Sequence, residues 1–137
     1  MSDENVIEFL GDHIHVIGRG NVGFAASLRL WKRIVAACEE HDCYKILGEA
    51  RTEETMSTID GYKHIDIFRE AGVTWKHQVA WVAEDEAKYK ELKFVETVLR
   101  NRGLGHGHLF RNVDDARRWL LGEEPAQPTQ DQASQSK

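Results

Sequence analysis

Apolar residues recur along this chain at two periods, and the points where the period changes mark its elements. Residues 6–10 and 13–17 are two short apolar-rich runs separated by Gly11-Asp12, which predicts a hairpin. The second run alternates, with Ile14 and Val16 facing one way and His13, His15 and Ile17 the other. A glycine-rich turn from Gly18 to Gly23 leads into a helix through residue 41, where Leu28, Trp31, Ile34, Val35 and Cys38 form one buried stripe. Residues 44–50 read as a short strand centred on Ile46 and Leu47.

The second half carries clearer punctuation. Ser57-Thr58-Ile59-Asp60 has the spacing of a capping box, with Asp60 in place of the usual Glu. The helix it opens is expected to turn Ile59, Tyr62, Ile65 and Phe68 inward and to end near Gly72. Residues 77–83 are nearly continuous in apolar side chains, as in a strand covered on both faces. A helix over 86–102 buries Tyr89, Leu92, Val95 and Leu99, and Gly103 stands where its left-handed terminator belongs. A strand at 106–110 follows. Asn112 then sits at an N-cap with Asp114 and Asp115 in the first turn, Val113, Ala116, Trp119 and Leu120 share a face, and Gly122 stops the helix.

The order β-β-α-β-α-β-α-β-α predicts an α/β fold. Its sheet is mainly parallel, with four to five strands, an antiparallel N-terminal hairpin strand, right-handed crossovers and about four covering helices. The domain is expected to span 1–122. Residues 123–137 contain no large apolar side chain and read as a disordered tail.

Composition excludes several classes of function. The 137 residues are 41% hydrophobic and 30% charged, ordinary for a globular protein, and suffice for one core without disulfides. A formal net charge of −5 gives no general attraction to nucleic acid or anionic membrane. Cys38 and Cys43 fit no common redox or metal spacing, so Cys38 reads as a core residue of a reduced, cytoplasmic protein. The opening MSDENVIEFL has neither a basic region nor an apolar core, so no signal peptide is expected, and no run is long enough to insert in a bilayer.

The stretch Phe94-Val95-Glu96-Thr97-Val98, then Asn101-Arg102-Gly103, Phe110, Ala116 and Trp119-Leu120, resembles the bacterial STAS-like (STAS/SEC14-like) proteins, related in fold to the anti-sigma factor antagonists. The likeness covers roughly residues 5–121, and its C-terminal third is the distinctive part. It implies a non-enzymatic regulatory or interaction module, without cofactor, that binds a protein partner, a second copy of itself or a small ligand. The SEC14-like part of the label further implies an apolar ligand under the helices. The antagonists present a phosphorylated serine in an Asp-Ser-Ser-Gly turn, whereas the comparable segment here reads Thr55-Met56-Ser57-Thr58-Ile59-Asp60-Gly61. Ser57 or Thr58 is the candidate phospho-acceptor, since a helix N-terminus stabilises phosphate, although Ser57 is first of all an N-cap.

The alternative is a nucleotide or dinucleotide site. Gly18-Arg19-Gly20-Asn21-Val22-Gly23 is formally G-x-G-x-x-G between a strand and a helix, and such glycines let a backbone approach a pyrophosphate. Gly18, Gly20, Asn21 and Gly23 would hold the phosphates. The candidate ribose-binding acid is Glu49, 26 residues after Gly23, against roughly 20 in dinucleotide folds. A plain tight turn is the favoured reading of these glycines, since glycines serve turns far more often than cofactors. His13 with His15, and His106 with His108, each share a strand face, but zinc would need the two strands side by side, and these histidines are expected at the surface or a sheet edge. His41, His64 and His77 are scattered, with no evident nucleophile beside them. The arginines from Arg100 to Arg118 read as a solvated face, and Trp75, in a loop, as the exposed tryptophan.

Overall fold

Glycine ends three of the helices, and each glycine does so in the left-handed conformation that other residues resist: Gly72 (φ 89°), Gly103 (φ 66°) and Gly122 (φ 70°). The helix starts are built as locally. Ser57, Asp85 and Asn112 each accept the backbone N–H three residues on, from Asp60 (3.1 Å), Lys88 (2.9 Å) and Asp115 (2.8 Å), and such caps contribute about 1 kcal/mol apiece. The first helix alone lacks a terminal glycine. Its chain reverses at Asp42 in the same left-handed region (φ 51°), which Asp tolerates better than most residues.

The computed structural model describes residues 5–20, 23–104 and 106–122. Residues 123–137, expected as a tail, lie outside it. In chain order the elements are β1 (Val6–Phe9), β2 (Ile14–Gly18), α1 (Phe24–His41), β3 (Lys45–Ala50), α2 (Thr58–Ala71), β4 (Gln78–Val82), α3 (Glu86–Asn101), β5 (His106–Phe110) and α4 (Val113–Leu121). The fold is α/β. The five strands form one sheet in the order β1-β2-β3-β4-β5, with β1 antiparallel to β2 and every other pair parallel.

Because the strand order follows the chain, crossovers of one hand bring α1, α2 and α3 to the same face of the sheet. They pack on one another in sequence over Ile14, Val16, Ile46 and Val79. One residue out of phase on the same strands, Leu47, Ala80 and Val82 form a second core with Ala116 and Leu120 of α4, which packs on β3, β4 and β5 from the other side. The two faces explain the sequence pattern. β3 and β4 lie between helices, and β4 reads as a nearly continuous apolar run, whereas β2 buries Ile14 and Val16 completely and leaves His15 and Ile17 half-buried. Among the described residues no helix is long and apolar enough to cross a membrane.

Two expectations need correction. Ile59 and Tyr62 do not face inward; they are 66% and 52% exposed, and the buried stripe of α2 is Gly61, His64, Ile65, Ile67, Phe68 and Ala71. The cause is α3: the Phe94 ring sits so near Gly61 that a Cβ there would be 2.8 Å from it. Only glycine fits that contact, so the helix turns Gly61 toward α3, and Tyr62 packs edge-on to Phe94 from outside, their centroids 5.1 Å apart. The second correction concerns His13. It is buried rather than at the surface, its Nδ1 2.6 Å from the Asp12 carboxylate, and β2 is an internal strand rather than an edge.

Candidate functional site

At the glycine-rich turn, Gly18 closes β2, and Gly23, with extended backbone (φ −69°, ψ 169°), is the N-cap of α1. Asn21 lies outside the described residues. None of Gly18, Gly20 and Gly23 has a positive φ, so the turn does not use glycine for its conformational freedom. The Asn5 Oδ1 accepts the backbone N–H groups of Arg19 (2.9 Å) and Gly20 (3.0 Å), and a Cβ on Gly20 would stand 3.4 Å from that oxygen. Two of the donors that could cradle a phosphate, the Arg19 and Gly20 N–H groups, are therefore already bound to a side chain of this chain.

Glu49 is turned away from the helices that the glycine turn feeds. On β3 it follows Gly48, whose position faces α1 to α3, so the Glu49 carboxylate emerges on the opposite face of the sheet. There it accepts from His15 Nε2 (2.7 Å) and from Arg51 Nε (3.1 Å) and Nη2. Burial pushes this carboxyl up, but the bonds from His15 and Arg51 and the Arg51 charge outweigh it and hold Glu49 below the usual carboxylate range. Ser57 and Thr58 are exposed at the start of α2, Ser57 with its hydroxyl engaged as the cap.

The two histidine pairs stay apart, since β3 and β4 separate β2 from β5. His106 and His108 instead meet Trp119 edge-on, and exposed Trp75 stacks on His106 at 4.6 Å. Among the described residues no three His, Cys, Asp or Glu side chains are placed to hold a metal. Cys38 is buried, and burial with the neighbouring Cys43 raises its thiol pKa to about 12, which keeps it protonated and unreactive.

What residue patterns did not locate is a cavity of about 360 Å³ between the sheet and α1 to α3, within the range of small-molecule pockets. Val79, Trp81, Gly107 and Leu109 form its floor, and Leu30, Trp31, Phe68, Leu92, Val95 and Leu99 its roof. One end lies beyond the carboxyl ends of β2 and β3, beside Gly18, Gly20 and Thr52, and the other lies by Trp75 and Leu104. Open α/β sheets place ligands at the carboxyl ends of their strands. Two glycines make the room. Gly107 contributes no side chain to the floor, and Trp81 lies flat over Gly48 instead of standing up into the space. Trp81 is held there by Trp31 (5.4 Å between centroids), which in turn meets Phe68 at 4.7 Å.

The lining is mainly apolar, and its charged groups are held in ion pairs. Buried Lys88 donates to the Glu91 carboxylate (2.8 Å) and to the Glu54 carbonyl. Glu96 is paired with Lys93 (2.7 Å) and Arg100 (3.0 Å) and accepts the Leu109 N–H (3.2 Å). His64, 7% exposed, sets its Nδ1 2.9 Å from the Asp60 carbonyl, and burial pulls its pKa down against the opposing pull of that bond. The sequence signals for the site were Gly48 and Gly107, glycines inside strands, which mark close approach or unfilled space. Compared with known proteins, the chain matches no family model, no curated protein and no solved structure.

Proposed function

We propose that this protein is a non-catalytic module of the STAS-like type that binds a small, mainly apolar molecule beneath α1 to α3 and presents that bound state to a protein partner. The cavity carries the reading: a preformed, aromatic-walled space of about 360 Å³, mainly apolar in its lining, is what a small-molecule receptor needs. The engaged state of the reactive side chains supports a binding rather than a catalytic role. His13 is bound to Asp12, His15 to Glu49, and the Cys38 thiol is held protonated. A partner surface is supported by β1, a sheet edge with Val6, Phe9 and Leu10 exposed, and by Ile59 and Tyr62 on α2.

The test is calorimetric titration of the purified protein with a panel of small apolar and amphipathic molecules, repeated on Leu92→Trp, which fills the roof. Saturable one-to-one binding that Leu92→Trp abolishes supports the reading. Saturable binding by no member of the panel overturns it.

A further inference from the structure

Two stripes run along α1. Trp31, Ile34, Val35 and Cys38 form the inner one, buried in the core. The outer one lays Phe24, Ala25, Leu28 and Ala36 along a shallow groove, with Arg29, Lys32 and Arg33 beside them. The spacing of three and four residues keeps this stripe on one side of the helix, about 18 Å from end to end. The groove is lined by α1 alone, and its cations are exposed.

The charge on this side works against the helix that carries it. The chain has a net charge of −5, yet from Phe24 to Ala36 it contains three cations and no carboxylate. The first turn, where acids favour the dipole, has none, and the N-cap Gly23 makes no side-chain bond. Arg29 stands three residues from Lys32 and four from Arg33, spacings at which like charges repel. Among the described residues neither Arg29 nor Lys32 has a carboxylate partner. Lys63 of α2 adds a further cation, its Nζ 5.8 Å from the centroid of the Phe24 ring. Folding does not call for this clustering of charge. A bound segment that brings carboxylates to the rim and apolar side chains to the floor relieves it. Phe24 and Leu28 are only half-exposed, so protruding side chains reach them and a flat bilayer surface does not. The net negative charge also opposes approach to anionic lipid or nucleic acid.

From these observations we infer that the outer groove of α1 docks an acidic amphipathic helix of a partner protein. Its apolar side chains sit over Phe24 and Leu28, and its carboxylates meet Arg29, Lys32 and Lys63. The groove lies on the other side of α1 from the cavity, so the inference stands or falls separately from the ligand reading.

Calorimetry on the full chain tests it with two designed helical peptides of about four turns. Both carry leucines at every third and fourth position; one flanks them with glutamates, the other with lysines. The glutamate peptide is expected to bind one to one, more weakly as salt is added, and the lysine peptide not to bind. The double substitution Arg29→Glu with Lys32→Glu should weaken the glutamate peptide by roughly tenfold or more and admit the lysine peptide. A second readout needs no peptide. Arg29→Glu alone should raise the melting temperature, because it puts a carboxylate four residues before Arg33. A lower melting temperature would make the cations structural and overturn the inference. So would equal binding of the two peptides, or binding of neither. Binding to phosphatidylglycerol vesicles in place of the glutamate peptide would overturn the protein partner in favour of a membrane.

Discussion

The indole of Trp81 lies across Gly48 of the adjacent strand, so close that a Cβ on residue 48 would stand 2.1 Å from a ring carbon. Glycine at this one position lets the ring lie flat, and the flat ring leaves open space above it. Gly48→Ala should tip Trp81 into the cavity, destabilise the protein by about 1–3 kcal/mol and weaken binding of any cavity ligand. Denaturant unfolding and calorimetry on the variant measure both. Unchanged stability would show that the ring has room elsewhere.

The Asn5 amide already occupies two donors of the glycine turn, the N–H groups of Arg19 and Gly20. Nucleotides and dinucleotides should therefore leave the melting temperature unchanged, and Asn5→Ala should cost about 1 kcal/mol by removing the acceptor of two N–H groups. A melting shift of several degrees with a phosphate-bearing ligand would restore the nucleotide reading.

Much of the fold was legible because its signals are local. Gly72, Gly103 and Gly122 announce helix ends through their own φ angles, and Ser57 and Asn112 announce starts through a bond three residues away. The rotation of α2 was not legible. Its face is chosen by Phe94, which packs on Gly61 from another helix, and no periodicity within α2 encodes that contact. The site was harder still, because a cavity is defined by side chains that are missing. It depends on Gly48 meeting Trp81 across two strands and on Asn5 reaching Gly20 fifteen residues on.

Stability should fall with acid in two stages. Burial depresses the pKa of His64 and of His77, so below about 6.5 the unfolded chain takes up protons that the folded protein refuses. Their contribution is complete above that value and is lost as pH falls through the folded pKa values. Glu49, also depressed, contributes above about pH 4.3 and is lost as pH falls through its folded value. Urea unfolding across this range measures the profile. A flat profile between about pH 8 and about pH 5 would contradict the histidine assignment.

Cys38 and Cys43 should differ in reactivity although they are neighbours. The Cys38 thiol, buried and pushed up to about 12, is expected to resist alkylation in the native protein, while half-buried Cys43 reacts. Mass spectrometry after brief native labelling should find a single modification at Cys43. Labelling of both thiols at equal rates would show that α1 opens readily.

The central claim is that the space under α1 to α3 is a ligand site, and mapping amide chemical shifts while titrating para-butylphenol tests it most directly. Shifts are expected around the cavity, at Leu92, Val95 and Gly107, with little change along the outer groove of α1 at Phe24, Leu28 and Ala36. Shifts confined to that outer groove, or none at saturating probe, would contradict it.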